Sequence, residues 1–259
     1  MLYFTPDDYR NLVAAEVNDL LTESGLPRVH HRLLNLGQAL SPRIKQRHFD
    51  LHLNPEIPGG VTRTSACAPL PEAVATLTYM RSAADARLVE TAMGRDALSM
   101  AQHIEARRHA VIEVRLSPEQ FVVELVVSPE AWYDQQNFFG KMSSGAHRDR
   151  FYDLLSALQG DYVLGFWRGI QLTDTHLSAA KLPPAPILFE YYDTFAPRRD
   201  WLRIGRWYDP EDSALQEDQI VGEVFRRIGE LYALYIFIAW SDKNNFRSLY
   251  TRSLKHSEK

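Results

Sequence analysis

The sequence predicts an α+β protein with a mixed or antiparallel sheet and a ferredoxin-like split β-α-β core over residues 46–168. Two observations support this class. Amphipathic helical stripes alternate along the chain with short runs that repeat every two residues. The element order across 46–168 is strand, helices, strand, strand, helices, strand, which is the ferredoxin-like order. Helices at the N-terminus and one long C-terminal helix are expected to flank this core.

Three segments follow from this order. Residues 1–45 form a helical segment, 46–168 form the sheet core, and 169–259 extend the sheet and end in the long helix. The chain has 259 residues, of which 45% are hydrophobic and 24% charged, so it can bury a sizeable core. We expect the three segments to pack as one domain.

The individual elements are placed by capping residues and by hydrophobic periodicity. The first helix starts at Thr5-Pro6, because Thr5 can cap it and proline suits the first helical position. Further helices are predicted over 28–40, 71–80, 83–107 with a break at Gly94, the segment after Ser128, 147–159 and 214–239. Strands are predicted over 46–53, 162–167, 187–192 and 202–208, with a hairpin over 109–128.

The hairpin carries one glutamate in each of its two apolar strands. If it closes around residues 117–120, Leu116 pairs with Phe121 and Glu113 lies opposite Glu124. Two carboxylates that face each other repel, so a neighbouring group must compensate for the repulsion. An arginine, a shared proton, a metal ion and water are the four alternatives.

The strand over 46–53 alternates between apolar and polar side chains. In a ferredoxin-like sheet it would lie beside the second hairpin strand, on a face that the helices leave open. The polar residues of that face would be His48, Asp50, His52, His109, Glu113, Arg115 and Glu124. Imidazole and carboxylate groups are ligands for divalent metal ions.

This polar face allows two interpretations. In a metal-assisted hydrolase, His48, His52 and Asp50 would hold the ion. One of the two hairpin glutamates would act as general base toward a bound water, and Arg115 would stabilise an anionic substrate. Alternatively the face is solvated or its charges are neutralised by arginines, in which case Glu113→Gln would be neutral or slightly stabilising.

A second candidate site is the aromatic and amide-rich stretch over residues 132–141. Aromatic and amide side chains together can hold a peptide or stack on bases. Trp132, Tyr133 and Gln136 are therefore predicted to form a binding surface. The alternative is core packing, because Trp132, Gln136 and Phe139 share one face of a helix.

Arg107 and Arg108 are assigned to the same binding surface, although they also suit a helix C-terminus, where cations are favoured. A role in contacting phosphate would require them to converge with Arg148, Arg203 or Arg206. The net charge of −4 gives no general attraction to nucleic acid. A protein partner or self-association is therefore expected in preference to nucleic acid.

Several functional classes lack their sequence signatures. The chain has no Walker A, G-x-G-x-x-G, G-x-S-x-G, H-E-x-x-H or C-x-x-C motif, and Cys67 is its only cysteine. The N-terminus does not resemble a secretory signal, and the apolar run over 231–240 is too short for a membrane span. We therefore expect a cytosolic, non-catalytic binding or scaffold protein without a cofactor, which binds its partner through the open sheet face and the aromatic and amide-rich stretch. The alternative is the hydrolase with a divalent metal ion.

Overall fold

The structure is a computed structural model that describes residues 1–17, 26–57, 60–68, 73–94 and 104–246. Within these ranges seven α-helices pack with one eight-stranded sheet, which confirms the α+β class. The helices are α1 (Pro6–Val17), α2 (Leu26–Gln46), α3 (Ala83–Ala92), α4 (Trp132–Met142), α5 (Gly145–Ser156), α6 (Ala185–Asp193) and α7 (Ile220–Ile238). The strands are β1 (His52–Leu53), β2 (Val61–Thr62), β3 (Ala75–Met80), β4 (Val111–Leu116), β5 (Phe121–Val127), β6 (Tyr162–Gly165), β7 (Leu177–Ser178) and β8 (Leu202–Tyr208).

The strand order is β1-β3-β4-β5-β8-β6-β7, and β2 pairs with the same edge of β3 as β1 does. Each of these pairs is antiparallel. The neighbours of β5 are therefore β4 and β8, whereas the ferredoxin-like order places the strand over 46–53 beside β5. The ferredoxin-like detail is not confirmed.

One face of the sheet packs against helices. Helix α2 contacts β3, and α7 crosses β4, β5 and β8. Alternate strand residues such as Leu77, Val114 and Val123 are fully buried on this face, where they meet buried α7 residues such as Ile228 and Leu231. Full burial of one such aliphatic side chain contributes about 1.5–3 kcal/mol. This packing fixes the position of α7, and the C-terminal end of α7 forms part of the candidate site.

The opposite face of the sheet is covered as well. Ala66 and Cys67 from the loop after β2 pack on it with Met80 and Val126, and Trp201 lies against the same cluster. The expectation of an open sheet face is therefore wrong. Loops cover the face that the helices leave free. The hydrophobic pattern of the sequence does not predict where these loops lie.

The predicted strand over 46–53 is mostly not a strand. Helix α2 continues through Pro42 to Gln46, His48 follows with a left-handed φ of 55°, and only His52–Leu53 pair with β3. Phe49 packs its ring 4.4 Å from that of Tyr232 on α7. The alternation of this segment thus reflects packing of its apolar residues against α7 rather than a continuous strand.

Two further predictions are wrong in the type of element. The described part of the predicted helix 71–80 contains strand β3, whose Leu77 and Tyr79 face the core while Thr76 and Thr78 face the loop-covered side. The predicted strand over 187–192 is helix α6, which Pro184 caps. Residues 95–103 of the predicted helix 83–107 lie outside the described residues.

The other elements agree with the sequence patterns. At the start of α1, the Asp8 carboxylate accepts hydrogen bonds from the Thr5 backbone N–H at 2.7 Å and from its hydroxyl at 2.9 Å. Gly94 takes a left-handed φ of 86° just after α3. Across the part of the chain that the structure describes, we find no helix with both the length and the apolar character needed to cross a bilayer.

Candidate functional site

The two hairpin glutamates face each other as the sequence predicts. Leu116 pairs with Phe121, Val114 with Val123 and Glu113 with Glu124. Both carboxylates point to the loop-covered face and are at most 1% exposed. On the next strand, Gly205 lies opposite Glu124, and a Cβ atom there would approach the Glu124 Cβ to 2.3 Å. The glycine therefore leaves the room that the Glu124 side chain needs.

Arginine is the compensating group. Arg115 Nη1 donates to Glu113 Oε2 at 3.0 Å and also contacts Glu124 Oε1. Arg203 on β8 binds both Glu124 oxygens through Nη2 at 2.8 Å and donates through Nε at 3.0 Å. The Arg203 guanidinium lies 4.6 Å from the centre of the Trp167 ring. These four charged residues form a buried ion cluster, a name used below for Glu113, Glu124, Arg115 and Arg203.

The two glutamates differ in their surroundings. Glu113 accepts from the Ser65 hydroxyl at 2.6 Å and from the Ala66 backbone N–H at 2.7 Å. Burial raises the pKa of Glu113 more than the nearby charge of Arg115 lowers it. Burial would raise the pKa of Glu124 too, but Arg115 and Arg203 together hold that pKa below its ordinary value.

The raised pKa of Glu113 gives a pH prediction. In the unfolded chain Glu113 has the ordinary value of 4.5, so the folded state binds its proton more tightly. The stability from this group is complete below that pH and is lost as the pH rises through the folded pKa. A difference of one pKa unit is worth about 1.4 kcal/mol. Urea unfolding from pH 4 to pH 8 measures the free energy of unfolding of Glu113→Gln and of the original chain. We expect the variant to gain stability relative to the original chain as the pH rises. A difference between the two that does not change with pH would contradict this prediction.

The ion cluster does not suit a metal ion. Cys67, Glu113 and Glu124 each place a ligand atom within 4.8 Å of the other two. However, Arg115 Nη1 already contacts both carboxylates, and it lies 3.3 Å from the Cys67 sulfur. A divalent cation among these three groups would therefore meet a guanidinium cation at the same position. Burial also raises the pKa of the Cys67 thiol, which disfavours the thiolate that a metal needs.

The predicted metal ligands lie elsewhere. Asp50 and His52 are exposed at the edge of the sheet, with His52 Nε2 3.0 Å from Asp50 Oδ1, and His48 is exposed after α2. His52 pairs with Met80 on β3, so β3 and β4 separate it from Glu124. The predicted convergence of these residues with the hairpin glutamates does not occur.

His109, the remaining imidazole of the predicted face, is also apart from the ion cluster. It is fully buried, and its Nε2 lies 3.4 Å from Glu90 on α3. Burial lowers the pKa of His109, which favours the neutral ring. The predicted polar face is thus divided into an exposed edge, a buried histidine and the ion cluster.

The aromatic and amide-rich stretch forms an open cleft. Trp132, Tyr133 and Gln136 on α4 are half-exposed and line a cleft of about 210 Å³. Its other walls are Ala92, Trp240, Asn245 and Phe246. The Tyr133 ring lies edge-on between Trp132, at 5.0 Å, and Trp240, at 5.2 Å. We call this the aromatic cleft.

The inner face of α4 explains why these rings point outward. Asn137 Nδ2 donates to the carbonyl of Ile238 at 3.0 Å, and Lys141 Nζ donates to that of Phe237 at 2.6 Å. Both bonds satisfy carbonyl groups at the C-terminal end of α7, which have no partner within the helix. Because Asn137 and Lys141 turn inward, Trp132 and Gln136 lie toward the cleft.

Asp134 fixes the position of Trp240. Its carboxylate accepts from the Trp240 backbone N–H at 2.7 Å and from the Ala110 backbone N–H at 2.6 Å. It also binds Arg81 Nη2 through both oxygens, at 2.5 and 2.6 Å. Tyr133 donates its hydroxyl proton to the carbonyl of Ala92. The aromatic cleft is therefore held by hydrogen bonds before any ligand binds.

The predicted basic residues do not join the cleft. Arg107 lies 3.5 Å from Glu130, and Arg108 lies 3.0 Å from Glu105. The three arginines that a phosphate site would require are also paired with carboxylates. Arg148 lies near Asp193, Arg203 is in the ion cluster, and Arg206 lies 3.8 Å from Glu223. No basic patch forms from these five arginines.

Sequence reasoning missed Arg203, Trp167 and Trp240 as parts of these sites. The sequence predicts Arg203 only as a candidate phosphate contact, and it gives Trp167 and Trp240 no role in a site. The alternation of β8 does place Arg203 on the same face as Glu124, so this signal was present. No local signal marks Trp240, because its position depends on Asp134 far away in the chain.

The fold and its clefts define an α+β protein with a buried ion cluster in its sheet, whose Glu113 lines a cleft of about 270 Å³, and with an open aromatic cleft beside α4. Searches against models of protein families and against curated proteins find no match to this chain.

Proposed function

We propose that the protein is a non-catalytic, cytoplasmic binding protein whose aromatic cleft holds an extended segment of a protein partner. The observation that carries this proposal is the arrangement of Trp132, Tyr133 and Trp240 at the surface. Large aromatic rings supply much contact area at little cost in conformational entropy, and they dominate the energy of protein interfaces. Rings already held in place lose little freedom when a ligand binds.

The lining of the cleft favours a peptide over nucleic acid. None of its described lining residues carries a charge, and its polar groups include the amide of Gln136. Binding of nucleic acid depends mainly on cations that contact phosphate, and the five arginines considered above are paired with carboxylates. Aromatic grooves of this kind bind proline-containing segments, which are already extended before binding. We therefore expect an apolar, proline-containing segment.

The buried ion cluster supports a non-catalytic role. Glu113 binds Arg115, and Glu124 binds both Arg115 and Arg203, so the carboxylates are paired with arginines within the cluster. Ser65 and Ala66 cover Glu113 from the loop side. The hydrolase hypothesis required an ion held near these glutamates by His48, Asp50 and His52, and that arrangement is not formed. A cytoplasmic location agrees with a single, buried cysteine that has no disulfide partner.

A peptide-selection experiment tests the proposal. A library of ten-residue peptides is selected on the immobilised full-length protein, and the affinities of the enriched peptides are measured by fluorescence anisotropy. We expect enrichment of proline-containing apolar peptides. Trp132→Ala should weaken their binding by at least about 30-fold, because truncation of a central aromatic residue costs about 2 kcal/mol or more.

The control is Ile187→Ala, which truncates another large apolar side chain, 55% exposed, on α6 away from the cleft. It should leave the affinity unchanged. Circular dichroism establishes that both variants are folded. The proposal fails if no peptide is enriched above background, or if the enriched peptides bind Trp132→Ala as tightly as the original chain.

A further inference from the structure

A second cleft adjoins the aromatic cleft. It has a volume of about 240 Å³, and Asp50, Arg81, Asp85, Tyr235, Ile236 and Trp240 are among its lining residues. Trp240 also lines the aromatic cleft, so the two clefts share this residue as part of their walls. A single extended chain lying across Trp240 would enter both. We call the second space the acidic cleft.

The acidic cleft has a negative balance of charge. Asp50 and Asp85 are both exposed along it. The only cation among its described lining residues is Arg81, and both oxygens of Asp134 bind that guanidinium. His52 is the neighbouring titratable group, and it contacts Asp50 at 3.0 Å. A ligand with a positive charge is therefore favoured at this rim.

Two buried polar groups in the lining have no hydrogen-bond partner. They are Arg81 Nε and the Tyr235 hydroxyl, on residues that are 5% and 4% exposed. Buried polar groups are almost always paired, and an unpaired one costs about 1–3 kcal/mol. Arg81 Nε can only donate, and the tyrosine hydroxyl donates readily. Both groups therefore suit an acceptor oxygen, such as a main-chain carbonyl.

We propose that the acidic cleft binds a lysine or arginine of the same partner segment that enters the aromatic cleft. The basic side chain pairs with Asp50 and Asp85, and its aliphatic stem lies along Ile236, which is 48% exposed. A main-chain carbonyl oxygen of the segment accepts from the Tyr235 hydroxyl. This inference rests on the proposed function and adds the charge of the partner.

The test starts from a peptide whose binding depends on Trp132. Each of its positions is replaced in turn by all other amino acids, and affinities are measured by fluorescence anisotropy. We expect one position to prefer lysine or arginine over alanine by about tenfold. The double variant Asp50→Asn/Asp85→Asn should lose this preference while it still requires the apolar residues of the peptide.

The carbonyl contact is tested by Tyr235→Phe, which removes only the hydroxyl. Loss of one hydrogen bond should weaken binding by about 2- to 12-fold. Tyr192→Phe is the matched control, because the Tyr192 hydroxyl is also buried and unpartnered but Tyr192 lines neither cleft. It should leave the affinity unchanged.

The outcomes separate this inference from the proposed function. If Trp132-dependent peptides show no preference for a basic residue, the acidic cleft does not bind one and the inference is wrong, while the proposed function stands. Equal affinities for Tyr235→Phe and Tyr192→Phe would overturn the carbonyl contact. If no peptide binds at all, both proposals fail.

Discussion

Replacing Glu124 by glutamine is expected to lower the free energy of unfolding by about 3–5 kcal/mol. Glu124 is fully buried and is bound by both Arg115 and Arg203. Glutamine has nearly the same volume, so it leaves no cavity, but it removes the negative charge. Arg203 would then lose the carboxylate that it binds, and Arg115 would keep only its contact with Glu113. Urea denaturation at pH 7 measures the effect.

Two other substitutions serve as controls for Glu124→Gln. Glu119→Gln changes an exposed glutamate in the turn of the same hairpin and should alter stability by less than about 0.5 kcal/mol. Glu113→Gln should cost less than Glu124→Gln, because Glu113 pairs with one arginine of the ion cluster whereas Glu124 pairs with two. If Glu124→Gln costs no more than Glu119→Gln, the ion pairs around Glu124 do not contribute to stability.

The hairpin shows how much local sequence can predict. Its register follows from the turn at residues 117–120 and from the alternation of its two strands, and both predicted pairs form. The compensating arginine was one of four alternatives. Arg203 comes from β8, 79 residues after Glu124, and only the pairing of β5 with β8 brings it close. Local patterns do not determine that pairing.

The segment over 46–53 shows where alternation misleads. Phe49 and Leu51 do point inward, but they reach the core from the end of α2 and the turn after it. Period-two alternation reports which side chains are buried, and a short irregular segment can bury alternate residues as well. The histidines were consequently assigned to the middle of the sheet, although His52 lies at its edge.

Short apolar runs do not distinguish a helix from a strand, and both kinds of error occur in this chain. Residues 75–80 form a central part of the sheet, although the surrounding alanines favour a helix. Residues 187–192 are rich in aromatic residues, which favours a strand, but the prolines before them start a helix. In both cases tertiary packing outweighs the local secondary-structure propensity.

The aromatic cleft was predicted only in part. The sequence indicated Trp132, Tyr133 and Gln136 as a binding surface, and these residues do lie together on one side of α4. The opposite wall, with Trp240, comes from more than 100 residues later in the chain, as the 106-residue separation between Asp134 and Trp240 shows. Polar contacts between residues so far apart in the chain leave no periodic pattern in the sequence. The cleft therefore became visible only in the folded chain.

Asp134 links the stability of the fold to the proposed binding site, and Asp134→Asn is expected to have the second large effect. The carboxylate accepts hydrogen bonds from Arg81 and from two backbone N–H groups, those of Ala110 and Trp240. Asparagine offers one acceptor oxygen and removes the carboxylate that binds the buried Arg81. We expect a loss of about 3–5 kcal/mol in the free energy of unfolding.

The same substitution should weaken peptide binding in the fraction that remains folded. Trp240 forms a wall of both clefts, and its backbone N–H would lose or share its acceptor. Asp153→Asn on α5 is the control, because Asp153 is exposed, and it should change neither stability nor affinity. Urea unfolding and fluorescence anisotropy on the two variants measure both effects. A destabilised Asp134→Asn protein that binds peptide with unchanged affinity would show that Trp240 does not need this anchor, and that the cleft keeps its shape through the contacts of Tyr133 instead.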